Sequence, residues 1–153
     1  LSSHKKIFLD TNVFLYARGK GHPYKNPCAR LILAIADGSF TREWGAPVVD
    51  SEVFQEILYF YSQRGNPRSG LEVCRDLLVF NLEIFPIGSL EVERMIELGE
   101  KYLGKGLPPR DLIHAAAMLT HGIDVIISAD THFDIIEGVR RLDPAHPIPS
   151  FRT

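Results

Sequence analysis

The chain has 153 residues, 45% hydrophobic and 24% charged, enough for one domain with a substantial core. Its formal net charge of −2 excludes binding a polyanion through bulk charge, so a nucleic-acid ligand would need a local basic patch or bound cations. No apolar run approaches the roughly 18 residues of a membrane span, and the two separated cysteines, Cys28 and Cys74, argue against a disulfide framework and for a reducing cytoplasm.

Residues 6–10, KIFLD, read as a buried strand that turns polar abruptly. Asp10 and Asn12 interrupt this run too early for a signal-peptide core. NVFLYARG (12–19) is a short helix and GKGHP (19–23) a turn. Residues 26–38 form a helix with Leu31, Ile32, Ile35 and Ala36 as its stripe and Gly38 as its stop. APVVDS (46–51) is the second strand, and helices cover 51–65 and 68–80. LEIFPI (82–87) is the third strand. Residues 89–104 are an amphipathic helix with Ser89 as N-cap and Glu91 and Glu93 in the first turn, where the helix dipole favours acids. PPRDLIHAAAMLTHG (108–122) opens on prolines, stops at glycine and is apolar nearly all round, which predicts a deeply buried helix. DVIIS (124–128) is the fourth strand, THFDIIEG (131–138) a last short helix, and RRLDP (140–144) an edge strand.

Strands that are continuous apolar runs, alternating with helices, predict an α/β three-layer domain with a central parallel sheet of four to five strands. The chain is read as one domain with its core over 6–143 and a tail over 144–153. In such sheets ligands sit beyond the carboxyl ends of the strands, so the residues just after each strand are the candidates for a site.

Asp10 ends the first apolar run. The helix after the second strand carries Glu52 and Glu56. Asp111 opens the buried helix leading into the fourth strand, and Asp130 lies just past that strand. Singly, each has an ordinary explanation as a cap, a first-turn acid or a surface carboxylate. Together at one sheet edge they would repel each other unless a cation neutralised them. Val53, Phe54, Ile57, Phe60 and Tyr61 define the apolar stripe of their helix. Glu56 falls beside that stripe and Glu52 about 40° further toward solvent, which makes Glu56 the better site residue. Carboxylates without a His or Cys ligand pair favour Mg²⁺ or Mn²⁺ over zinc. One or two such ions would activate water for attack on a phosphodiester. The absence of a glycine-rich phosphate loop argues against nucleoside triphosphate hydrolysis.

IFLDTNV, SEVFQEILY and PPRDLIHAAAMLTHGIDVIISADTHFD, in that order and spacing, resemble the PIN-domain ribonucleases, and among them the VapC-like toxins of type II toxin–antitoxin systems. The resemblance spans residues 6–143. It implies a PIN-like fold and a metal-dependent endoribonuclease with Asp10, Glu56, Asp111 and Asp130 as catalytic metal ligands. It also implies that Asn12 and Ser128 steady the site and that Asp134 is an outer acid. Implied partners are RNA and an antitoxin protein, with a homodimer expected and no membrane. An RNA-processing or structure-specific nuclease of the same fold, and a non-catalytic binding module, are the alternatives. The tail after Pro144 has no counterpart in the resemblance.

Arg18, Lys20, Tyr24 and Lys25 surround the loop after the first helix and are either phosphate- and base-contacting residues or parts of a solvated loop. Arg110 is either a phosphate contact or part of an ion pair of little worth, and His132 either a structural hydrogen-bonder or a substrate contact. His114, one turn after Asp111, is read as a structural hydrogen-bonder. Tyr59 is either an isolated exposed aromatic or, with Phe80 and the apolar residues of 68–80, part of a face for self-association or antitoxin binding.

Overall fold

The structure, a computed structural model, describes residues 5–80, 82–146 and 148. Five strands form one parallel sheet: β1 (Lys6–Leu9), β2 (Ala46–Asp50), β3 (Glu83–Phe85), β4 (Val125–Ile127) and β5 (Arg140–Leu142), in the order β3-β2-β1-β4-β5. Ile7, Phe8, Leu9, Val48, Val49, Ile126 and Ile127 are fully buried, as expected of central strands covered on both faces.

The chain leaves β1 through α1 (Thr11–Ala17), α2 (Lys25–Asp37) and α3 (Ser39–Glu43) to reach β2. It then passes through α4 (Ser51–Gln63) and α5 (Pro67–Val79) to β3. From there it returns past β1 through α6 (Ser89–Tyr102), a 3-10 turn (Leu103–Lys105) and α7 (Pro109–Thr120) to β4. A second 3-10 turn (Thr131–Ile135) leads to the edge strand β5. α1 packs against α2 and α4, α4 against α5, and α6 against α7. The winding reverses between β1 and β4, and a crevice opens at such a switch point.

The expected edge strand at 140–144 is present as β5. The structure adds α3, which the sequence pattern did not reveal: Gly38 adopts φ 84 and lets α2 end and α3 begin without a linker. The buried stripe of α2 is Cys28, Leu31 and Ile35, while Ala36 faces solvent. Gly88 rather than Ser89 caps α6, its N–H donating to Glu91 Oε2 at 2.9 Å. The short helix expected at 131–138 is the 3-10 turn. Most of the tail assigned to 144–153 lies outside the described residues.

Two glycines fix how the elements meet. Gly45 enters β2 at φ 155, and a Cβ there would lie 2.2 Å from the Lys5 carbonyl oxygen, which Ala46 N–H needs as its acceptor. Gly70 lets α5 close on α4, where a Cβ would meet Tyr61 Cβ at 3.1 Å. Val53 and Ile57 anchor α4 from the core side, each contributing roughly 1.5–3 kcal/mol by burial. That anchoring orients the helix face carrying Glu56.

Among the described residues no helix is long and apolar enough to cross a membrane. Cys28 is buried, Cys74 is half-buried, and both are free thiols.

Candidate active site

The crevice at the switch point is built on Asp10. Its N–H donates to Ile127 O at 3.1 Å, tying the end of β1 to β4. Its backbone is extended, and its Oδ1 caps α1 by accepting from Thr11 N–H at 2.8 Å. Its Oδ2 accepts from Ser128 Oγ at 2.6 Å and from Asn12 Nδ2 at 3.0 Å. Ser128 is fully buried, and its Oγ also accepts from Asp130 N–H at 2.9 Å and Asn12 Nδ2 at 3.2 Å. Asn12 and Ser128 thus hold the Asp10 carboxylate and the loop after β4 in one network. Burial raises the Asp10 carboxyl above its ordinary value against the pull of His114 and Ser128.

Asp111 sits in the first turn of α7, 3% exposed. Burial, then the negative charges of Asp10 and Asp130, push its carboxyl up to about 7. Asp130 caps the second 3-10 turn through His132 N–H at 2.9 Å. The His132 ring Nδ1 lies 2.8 Å from Asp130 Oδ1 and 3.1 Å from Asp111 Oδ2. Read from sequence as either a structural hydrogen-bonder or a substrate contact, His132 bridges two acids in the structure, and its ring is raised above the ordinary histidine value chiefly by the bond to Asp111. One ligand atom from each of Asp111, Asp130 and His132 lies within 4.8 Å of the others.

Glu56 approaches from α4. Its Oε1 lies 2.5 Å from Nε2 of His114. The other ring nitrogen, Nδ1, is 2.7 Å from Asp50 Oδ2. His114 and Asp50 are both fully buried, and Asp50 Oδ1 caps α4 by accepting from Val53 N–H at 3.2 Å. Burial opposes a charged ring here, but the bonds to Asp50 and Glu56 outweigh it and hold His114 well above the usual histidine range. The structural reading of His114 agrees with this placement. Sequence reasoning missed Asp50, although it ends β2 much as Asp10 ends the β1 run; that shared strand-end position was the available signal.

A cavity of about 580 Å³ opens over these groups. Asp10, Glu56, Asp111 and Asp130 all line it, so the structure brings together the four acids singled out from sequence. Its upper wall comes from α4, where Gln55, Tyr59 and Gln63 stand one turn apart beside Phe60 and Arg64. Arg110 faces it from α7. The Arg64 guanidinium stacks 3.5 Å from the Phe60 ring centre. Tyr59 therefore belongs to the cavity. Phe80 lies elsewhere, in an apolar groove of about 270 Å³ with Phe14, Leu33 and Leu77, so the two do not share a face.

Other candidates fall outside the cavity. Arg18 pairs with Asp76 at 3.5 Å beside the apolar groove. Lys20 is exposed in the turn, Lys25 opens α2, and Tyr24 donates to Asp143 Oδ2 at 2.8 Å. Asp134 is neutralised by Arg141, with contacts of 2.8 and 3.2 Å. Arg141 in turn donates to the Ser128 carbonyl at 3.0 Å, so Asp134 supports the site from behind.

Fold and site together define the class: a parallel α/β domain whose acids converge where the sheet reverses its winding. The chain belongs to the PIN domain family, whose model matches residues 7–139. VapC ribonucleases are among its relatives there. It is similar to ribonuclease VapC13 of Mycobacterium tuberculosis, 31% identical over 137 residues, covering 89% of this chain and 98% of the relative. In fold it is similar to a chain of VapBC2 from Rickettsia felis bound to a promoter DNA fragment, with TM-score 0.67, 18% identity, and 90% and 98% of the two chains covered. It is also similar in fold to a chain of a toxin–antitoxin complex from Klebsiella pneumoniae, with TM-score 0.59, 18% identity, and 90% and 97% covered.

Proposed function

We propose that this chain is a divalent-cation-dependent endoribonuclease and the toxin of a type II toxin–antitoxin pair, acting in the cytoplasm. The observation that carries the reading is the meeting of Asp10, Glu56, Asp111 and Asp130, from four separate elements, on one cavity at the switch point.

The residues fit a hard cation. Four carboxylates line the cavity, which suits Mg²⁺ or Mn²⁺; of them Asp111 and Asp130 lie with His132 within 4.8 Å of one another, and His132 is compatible with Mn²⁺. Thr11 lines the same cavity, and its Oγ1 is buried without a hydrogen-bond partner among the described residues. A water in an ion's shell or a substrate oxygen would satisfy it. Asp10, Glu56, Asp111 and Asp130 would hold the ion. When bound, it supplies a Lewis acid that activates water and neutralises the phosphodiester's charge.

The chain's own groups do the rest. Ser128 and Asn12 fix the Asp10 carboxylate. Arg110 and Arg64 place two positive charges at the cavity wall, where they counter the acids and attract a phosphate backbone. Tyr59, 58% exposed, offers a ring face to a nucleobase at the rim. Kinship with ribonuclease VapC13 supports RNA as the substrate. The fold shared with the Klebsiella complex supports an antitoxin partner, and the apolar groove beside Phe14 and Leu77 is a surface it could cover. A homodimer belongs to the same reading, since Leu78 and Val79 of α5 are 65% and 84% exposed.

Cleavage of single-stranded RNA with Mg²⁺ or Mn²⁺ tests the reading. Asp10→Asn should lose at least about 100-fold in kcat, more than the roughly 10–100-fold typical of groups one shell further from a metal. Cleavage at the wild-type rate would sink the assignment.

A further inference from the structure

We infer that His114, gripped by Asp50, is a positioning residue that sets the Glu56 carboxylate for ion binding. The inference rests on the proposed function only in taking Glu56 as an ion ligand.

Glu56 is a long side chain on the cavity side of α4, and its side chain is 19% exposed. Left alone it would sample several rotamers and lose that freedom on binding an ion. The bond from His114 Nε2 to Oε1 removes the choice in advance and leaves Oε2 for a second partner. The ring cannot turn, because Nδ1 is held by Asp50 and the imidazole is packed against Phe8 with ring centres 5.4 Å apart. Asp50 is itself immobile: its other oxygen caps α4.

The chain Asp50–His114–Glu56 therefore joins the N-terminus of α4 to the middle of α7, and it reaches the cavity only at Glu56. His114 sits three residues after Asp111, so the same contact fixes α7, which carries Asp111, relative to α4, which carries Glu56. A role confined to stability would require only the buried bond to Asp50. The second bond goes instead to a carboxylate lining the site. Partners that orient metal ligands in this way affect affinity and rate without touching the substrate.

Two variants separate the ring's two bonds. In His114→Asn the amide nitrogen stands near the Nδ1 position and keeps the bond to Asp50. In His114→Gln it reaches the Nε2 position and keeps the bond to Glu56. Mn²⁺ affinity, read from the paramagnetic resonance of free Mn²⁺, and the kcat and KM for RNA are measured for both. His114→Asn should weaken Mn²⁺ binding by about 10–100-fold and lower kcat with KM for RNA unchanged. His114→Gln should recover most of that loss. Equal losses in both variants, or wild-type Mn²⁺ affinity in His114→Asn, would overturn the inference.

Should neither variant fold, the wild-type protein decides. The His114 Nε2 resonance in ¹⁵N-histidine-labelled protein should move as Mg²⁺ saturates, and a fixed resonance would overturn the inference. A wild-type chain that binds Mn²⁺ but cleaves no RNA contradicts the proposed function alone, since the Mn²⁺ affinities of the variants still decide the role of His114. A chain that binds no Mn²⁺ contradicts both.

Discussion

Asp10 and Asp50 stand at the ends of neighbouring strands, and the β1–β2 register puts them at the same level of the sheet. Both are buried and both cap the next helix. They differ in what answers their charge. Asp50 faces an imidazole at 2.7 Å, deep in the core. Among the described residues the groups that donate to Asp10 are neutral, from Ser128, Asn12 and Thr11; His114 acts on it without a bond, and Glu56, Asp111 and Asp130 line the same cavity. Burial and capping thus do not make a strand-end aspartate a site residue. A carboxylate that no cationic side chain bonds directly, at the wall of an open cavity, does.

Breaking the compensated side should cost the fold most. Asp50→Ala leaves the buried His114 ring with Glu56 as its remaining carboxylate partner and α4 without its cap. Removing one member of a buried pair costs roughly 3–5 kcal/mol when the other is left unpaired; Glu56 still answers the ring, so urea denaturation should show a loss toward the lower end of that range. A loss below about 1 kcal/mol, the cost of the cap alone, would mean the pairing is not what holds Asp50.

Removing an acid whose burial and acidic neighbours outweigh its one ring partner should act in the opposite sense on stability. Asp111→Asn should raise the melting temperature of the metal-free protein by a few degrees, about 2–4 °C per kcal/mol at this size. It should also abolish the rise that Mn²⁺ gives the wild type. A metal-free variant that melts below wild type would contradict the repulsion between these acids.

The pH dependence sharpens the contrast. The Asp111 carboxyl, at about 7 when folded, lies above its ordinary 3.8. Its contribution to stability is therefore complete below about pH 4 and is lost as pH rises through about 7. Asparagine has no such dependence, so the melting-temperature gap between Asp111→Asn and wild type should widen from about pH 5 to about pH 8. Saturating Mn²⁺ should protect the wild type over the same range. A gap that narrows with pH would reverse the sign of the effect.

Smaller effects separate the cavity wall from the loop. Arg110→Ala should raise KM for RNA several-fold with kcat little changed, as loss of one phosphate contact does. Lys20→Ala, at a residue that does not line the cavity, should leave both constants within experimental error. Equal effects of the two would move the substrate path toward the loop.

The strand-end positions of Asp10 and Asp130, and the first-turn position of Asp111, were legible because a parallel sheet exposes its carboxyl edge to ligands. The helical period separated Glu56 from Glu52, and Glu56 alone of the two lines the cavity. Asp50 was not legible in the same way. Its partner His114 lies 64 residues away, and no local pattern shows which strand-end acid will be met by a cation. The roles of Arg18 and Asp134 were hidden for the same reason: Asp76 and Arg141 neutralise them through pairings that exist only in the folded chain. α3 escaped because a five-residue helix carries too little periodicity, and the left-handed Gly38 that permits it reads as a simple stop.

Crystals soaked in Mn²⁺ offer the most direct test of the contrast between the two aspartates. Anomalous scattering should place Mn²⁺ within bonding distance of the Asp10 and Asp111 carboxylates, with none at Asp50. An ion bound at Asp50, or no ion at Asp10 under saturating Mn²⁺, would contradict the claim that a carboxylate without a bonded cation at the switch point makes this site.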